Sequence, residues 1–179
     1  KLWLKYGFDG PVIGAGVDCE FWKPTKVKNL YKFQFCFCNS SNIRSGLDVF
    51  LHAFLIAFQD NPNVKLVIKD TNNNPVLKDN INKYFKGGLD IEYYNDRWGM
   101  FRIRDLLSQS HVCVNVQRNL SWGLLQTECM ACDTISLSAD IEPSNEIVND
   151  KIGVLLPSTG QIELRKYIPY AEKFGLLNT

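Results

Sequence analysis

The chain has 179 residues, 45% hydrophobic and 22% charged, which is enough to bury the core of one domain. Its 20 basic and 19 acidic residues leave a net charge of +1, and no basic patch stands out, so a nucleic-acid partner is not expected. No apolar run reaches the ~18 residues of a transmembrane helix, so any membrane association is expected to be peripheral or to lie outside this sequence.

The sequence begins at Lys1 rather than a methionine, and residues 1–8 are basic and apolar but lack a signal-peptide core. It is therefore read as a piece of a longer protein. Residues 31–38 are aromatic-rich and read as a buried strand. Ser45 is placed to cap a helix over 46–58. That helix is apolar nearly all round (Leu47, Val49, Phe50, Leu51, Phe54, Leu55, Ile56, Phe58), the composition of a helix covered by other elements. A strand over 64–69 and a turn-rich loop over 70–75 follow, the loop marked by Asn72-Asn73-Asn74-Pro75.

A helix is expected over 76–85, ended by Gly87-Gly88. Next come a strand over 89–94, a short helix over 101–109 and a strand over 112–116. Residues 121–132 read as a loop entering a helix, and 134–138 as a strand. Pro143 suits the start of a helix reaching 149. A short strand over 154–156 precedes a polar helix in 161–174, which Pro169 should kink or divide.

Strands alternating with helices imply parallel pairing, hence an α/β fold with a Rossmann-like sheet and helices on both faces. Ligands of such sheets sit beyond the carboxyl ends of the strands. Here those ends are residues 38–46, 69–75, 94–101, 116–123 and 138–143.

Most of the familiar chemical signatures fail on spacing. Gly14-Ala15-Gly16 is a lone GxG, and residue 19 is Cys rather than Gly, so the dinucleotide fingerprint is broken. Cys129 and Cys132 have CxxC spacing, but no second pair follows at zinc-site distance. Cys36, Cys38 and Cys113 lie in apolar runs where a thiol behaves as a small hydrophobe. The six cysteines therefore read as structural thiols in a reducing, cytoplasmic compartment. His52 and His111 read as packed or surface residues, and no nucleophile–histidine order is evident. Asn39-Ser40-Ser41 and Asn119-Leu120-Ser121 match the glycosylation pattern, a match that arises often by chance.

Three strings stand in order: Val12-Ile13-Gly14-Ala15-Gly16-Val17-Asp18, Arg44-Ser45-Gly46-Leu47-Asp48-Val49, and Trp122-Gly123-Leu124-Leu125-Gln126-Thr127-Glu128-Cys129-Met130-Ala131-Cys132. Over about residues 12–157 they resemble the second, donor-binding half of a family 4 glycosyltransferase of the two-domain GT-B fold. The resemblance divides the chain into 1–24, an interdomain segment with a remnant of a first domain, and 25–179, a nucleotide-sugar-binding domain with a C-terminal helix. It implies retaining sugar transfer from a nucleotide diphosphate sugar, with no tightly bound cofactor or metal. The partner it implies is an acceptor-binding N-terminal domain on the same chain.

The resemblance also suggests roles. Arg44 and the Ser45-Gly46 helix start would meet the diphosphate, through a cation and backbone N–H groups. Asn119, Ser121 and Trp122 would lie near the sugar, with Gly123 in the turn. Glu128 would accept from the ribose diol. Three positions depart from the family: its lysine is Ser45, its strand-end arginine falls near Asn39, and the first of its two glutamates is Leu120. Its Gly-Thr-Pro is Asp133-Thr134-Ile135. Plainer roles stand beside these: Ser45 as a helix cap, Arg44 as a solvated charge, Trp122 in loop packing, Glu128 as an exposed helical residue. Glu146 matches a family position but also suits a helix N-terminus, and Asp18 fits a structural hinge. Two further functional readings follow: a degenerate, non-catalytic module serving in protein interaction or assembly, and, ranked last, an unrelated nucleotide-binding Rossmann domain.

Overall fold

The computed structural model describes residues 7, 10–11, 13–72, 77, 79, 81 and 89–158. Six strands form one sheet: β1 Phe33–Asn39, β2 Val64–Asp70, β3 Asp90–Tyr94, β4 Val112–Asn115, β5 Ile135–Ala139 and β6 Gly153–Leu156. Their order is β3-β2-β1-β4-β5-β6 and every neighbouring pair is parallel. Four helices are described between them: α1 Leu47–Phe58, α2 Met100–Gln109, α3 Leu124–Ala131 and the single turn α4 Ser144–Ile147. The expected α/β Rossmann-like class is the fold that forms.

Alternation along each strand sends side chains to opposite faces, and a parallel sheet buries both. On one face Phe37, Leu66, Ile68 and Val114 pack against Leu47, Phe50, Leu51 and Phe54 of α1. On the other, Cys36, Val67 and Cys113 pack against Leu106 and Leu107 of α2 and Cys129 of α3. Trp22, from the segment ahead of the first strand, closes this second core.

Several sequence expectations shift. β1 starts at Phe33 rather than residue 31; Tyr31 is 88% exposed and lies outside the sheet. Ser45 is not the cap of α1. It ends a 3-10 turn, Ile43–Ser45, capped by Asn42, and Gly46 holds the N-cap position of α1. The helix expected over 143–149 shortens to α4. The all-round apolar α1 is not covered all round: Val49 and Ile56 are 52% and 67% exposed, on one stripe with His52, Ala53 and Ala57. Of the helix expected over 76–85, Leu77, Asp79 and Ile81 are described and are helical. The helix expected over 161–174 and nearly all of residues 1–8 lie outside the described residues.

The strand order reverses between β1 and β4, so the loops leaving these strands part in opposite directions and open a crevice. Two sets of contacts fix that opening. On the β1 side, the fully buried Asp70 carboxylate accepts from the Ser41 N–H (2.8 Å), the Asn72 N–H (2.9 Å), the Tyr93 hydroxyl (2.6 Å) and the Ser41 hydroxyl. Across the crevice, the Arg118 N–H donates to the Arg44 carbonyl at 2.7 Å. The Arg118 guanidinium donates to both oxygens of Asp48 (3.0 and 2.9 Å), and Asp48 is fully buried in the first turn of α1. Gly46 takes φ +73°, and a Cβ there would stand 2.1 Å from the Val116 carbonyl oxygen.

Gly46→Ala is expected to cost at least about 2 kcal/mol, combining the left-handed penalty of ~1–2 kcal/mol with displacement of the Val116 carbonyl, as read by urea unfolding. Arg118→Ala leaves the Asp48 carboxylate buried and unpaired. It is expected to cost about 3 kcal/mol, the lower end for a broken buried pair because the arginine is partly solvated. The Asp48→Ala, Arg118→Ala double variant should be less destabilised than Arg118→Ala alone; equal or greater loss would show that the ion pair does not hold the two loops.

Candidate functional site

The crevice is a cleft of about 170 Å3 lined by Asn39, Ser40, Asn42, Arg44 and Ser45 from the β1 side and by Gln117, Asn119, Leu120 and Ser121 from the β4 side. It lies at the place where an open parallel sheet binds its ligand. Among the described residues Arg44 is the one charged residue that lines it, and no carboxylate does. The cleft therefore favours an anion.

The two lips differ in how their polar groups are used. On the β1 side they bond one another. Asn39 Oδ1 accepts from the Ser40 N–H (2.8 Å) and Ser40 Oγ accepts from Asn42 Nδ2 (2.6 Å). Asn42 Oδ1 accepts from the Arg44 N–H (3.0 Å), and the Ser45 hydroxyl donates to the Asn42 carbonyl (2.7 Å). These bonds follow from the Asn-Ser-Ser-Asn run, whose short side chains fold back on the backbone. By contrast, the side chains of Arg44, Gln117, Asn119 and Ser121 have no hydrogen-bond or ion-pair partner among the described residues, which leaves them available to a ligand.

Four of the residues given a ligand role from the sequence, Arg44, Ser45, Asn119 and Ser121, line the cleft together, beside Asn39 and Leu120. The others stand behind or beside it. Gly46 permits the close approach of α1 to Val116. Gly123 is the N-cap of α3 at φ +93°, and a Cβ there would meet Gln126 Oε1 at 2.2 Å. Trp122 does not line the cleft; the edge of its ring lies 3.3 Å from a Cβ built on Gly14, so it joins this turn to the leading segment. Its indole N–H is buried without a partner among the described residues. Below the turn, Gln126 donates to Ser138 and Ser144 (2.8 Å each), and its Oε1 is also buried and unpartnered.

Glu128 sits in the second turn of α3 and is half-buried. It does not line the cleft, and its carboxylate makes no hydrogen bond or ion pair with a described residue. Burial raises its pKa above the ordinary carboxylate value. Glu146 is exposed at the start of α4, and Asp18 accepts from the Glu20 and Phe21 N–H groups in a turn. His52 is exposed. His111 accepts from the Gln34 N–H (3.0 Å), stacks on Phe33 and has its pKa lowered by burial. Among the described residues no cluster of three or more His, Cys, Asp or Glu side chains is placed to hold a metal, and no helix is long and apolar enough to cross a membrane.

Sequence reasoning missed Asn42, Gln117 and Arg118. Gln117 and Arg118 follow directly on an apolar strand, a signal that was present. The pairing of Arg118 with Asp48 spans 70 residues and carries no local signal.

The chain resembles solved structures at 14–18% identity, a level that speaks to fold alone. The C-terminal domain of a group 1 glycosyl transferase (LpcC) from Francisella tularensis is 14% identical, with TM-score 0.67, over 90% of this chain and 92% of that one. Sucrose-phosphate synthase from Thermosynechococcus elongatus is 14% identical, with TM-score 0.65, over 90% of this chain but 44% of that one. The pneumococcal O-GlcNAc transferase GtfA, in complex with UDP and GlcNAc, is 18% identical, with TM-score 0.58, over 82% of this chain and 29% of that one. The chain thus spans a whole domain of the first and less than half of the other two. No curated protein matches it. The family model for glycosyl transferases group 1 matches residues 18–174, and on that match, over nearly the whole sequence, the chain belongs to the group 1 glycosyl transferases.

Proposed function

We propose that this domain binds the donor of a two-domain, family 4-like GT-B glycosyltransferase, a retaining enzyme that takes a hexosyl-type sugar from a nucleotide diphosphate sugar. The observation that carries the reading is the cleft at the strand-order switch, which joins Arg44 and Ser45, just ahead of α1, to the uncommitted amides Gln117 and Asn119. Backbone N–H groups at a helix start and a nearby guanidinium favour a diphosphate, and their gain grows as charge builds on the leaving group. In this reading Glu128 accepts from the ribose diol, and its lack of a partner among the described residues supports that role. Asn119 and Ser121 stand toward the sugar, and Trp122 supports the turn that carries them.

The acceptor belongs to a separate N-terminal domain, so this piece alone transfers nothing. No resident cofactor or metal takes part. A cytoplasmic setting accompanies the reading, supported by Cys36, Cys113, Cys129 and Cys132 as buried free thiols.

A second reading, a non-catalytic module for interaction or assembly, is favoured by the β1 lip. There the Ser45 hydroxyl is spent on the Asn42 carbonyl. The family's lysine cation at that position has no equivalent here.

Titration with UDP, GDP, ADP and their sugar conjugates, followed by ligand-observed NMR, decides between them. One nucleotide is expected to bind, about tenfold more weakly in Arg44→Ala, the scale of one solvated charge-assisted hydrogen bond. Absence of binding across the panel by a folded protein supports the second reading.

Glu128 supplies a pH test. Its folded-state pKa is raised, so ionisation at neutral pH costs stability; that stability is fully present below the unfolded value of about 4.3 and is lost as pH rises through the folded value. Glu128→Gln is therefore expected to raise the melting temperature at pH 7, with the gain vanishing below about pH 4. The same variant should lose nucleotide affinity, because an amide is uncharged and replaces one of the carboxylate's two acceptor oxygens with a donor. Unchanged affinity at pH 7 would remove Glu128 from the site.

A further inference from the structure

Leu120 is the one apolar side chain among the nine residues that line the cleft. It lies between Asn119 and Ser121 on the lip whose polar side chains are uncommitted, and it is partly buried. Around it the cleft offers donors and neutral acceptors: the Arg44 guanidinium, the amides of Gln117 and Asn119, and the Ser121 hydroxyl. Among the described residues no carboxylate lines the cleft.

This combination constrains what can lie against Leu120. A sugar hydroxyl placed there gives up water and finds no acceptor, because a leucine side chain offers none. A buried polar group left without a partner is disfavoured. A methyl, a methylene or an acyl group at the same place gains apolar contact instead. Such discrimination by an apolar wall is modest, since a hydrophobic surface rejects an added hydroxyl by up to about a hundredfold. Leu120 is only partly buried, so the ratio here lies nearer tenfold.

Resting on the donor-binding reading above, we propose that Leu120 is a specificity-determining residue. The transferred sugar carries a deoxy, methyl or acylamino group at the position that faces it, where a common hexose carries a hydroxyl.

Pairs of probes that share one nucleotide and differ at one position test this without knowledge of the preferred base: UDP-glucose against UDP-N-acetylglucosamine, GDP-mannose against GDP-6-deoxymannose, and dTDP-glucose against dTDP-6-deoxyglucose. Bare UDP, GDP, dTDP and ADP are run beside them. Binding is measured by calorimetry on the full native chain, wild type and Leu120→Glu, with circular dichroism to confirm folding.

For the nucleotide that binds, the deoxy or acylated conjugate is expected to bind about tenfold tighter than its hexose counterpart. Leu120→Glu is expected to reverse that order, read as the ratio of the two conjugates of one nucleotide so that any loss common to both, from the added charge, cancels. Leu120→Met, which keeps an apolar wall, should keep the wild-type order. If a bare nucleotide binds but the hexose conjugate matches or exceeds its partner, or Leu120→Glu leaves the ratio unchanged, this inference is overturned and the donor site stands. If no bare nucleotide and no conjugate binds, the donor reading fails and takes this inference with it.

Discussion

The geometry of the cleft depends on how closely α1 can approach the end of β4. The first turn of α1 comes so near the Val116 carbonyl that no side chain fits at residue 46. The bidentate Arg118–Asp48 pair and the Arg118 N–H bond to the Arg44 carbonyl hold the same two loops at that distance. One glycine sets the approach and one arginine keeps it. The Asp70 carboxylate, with four donors from three segments, fixes the outer side of the β1 loop so that it cannot swing away. With both sides held, Arg44 projects from an ordered backbone although its own side chain is solvated. An anion site built this way loses little ordering entropy when it binds.

The same contacts shape the electrostatics. Asp48 stands in the first turn of α1, where a carboxylate is favoured by the helix dipole, and it neutralises Arg118. Arg44 is then the cation that lines the cleft. In the proposed donor-binding reading, affinity for a diphosphate comes from backbone N–H groups and this single guanidinium. Neutral side chains take up the rest. Such a site is expected to be weaker and less salt-sensitive than one built on two cations, because fewer charge contacts are screened.

The fold was largely legible in the sequence because its signals are local or periodic. The apolar run that became β4 and the glycines at 46 and 123 report on their own neighbourhood. The errors came where a tertiary contact overrode a local preference. Ser45 looks like a helix cap, but the Asn42 side chain and carbonyl pull it into a 3-10 turn, and Gly46 takes the cap position because Val116 presses on it. Tyr31 has strand composition, yet the Asn29 side chain accepts its N–H and turns the chain before the sheet begins. The site was half legible. Arg44, Ser45, Asn119 and Ser121 follow strand ends, where the parallel sheet places ligands. Arg118 was invisible, because its partner lies 70 residues away and no spacing rule links them.

Two departures from the pattern that the sequence resemblance implies bear on the local chemistry in opposite directions. Ser45 removes a cation and spends its hydroxyl on the backbone, which stiffens the lip at the expense of charge. Leu120 removes an acceptor and adds an apolar surface, which changes what the cleft can select. A domain drifting away from ligand binding has no reason to keep the rest of the β4 lip open to solvent as unpaired amides, or to keep a half-buried carboxylate at Glu128 that costs stability at neutral pH. A half-buried carboxylate with no partner among the described residues is the kind of group a ligand can use. Glu128 therefore weighs toward a working ligand site, and Leu120 toward a change in which ligand that site accepts.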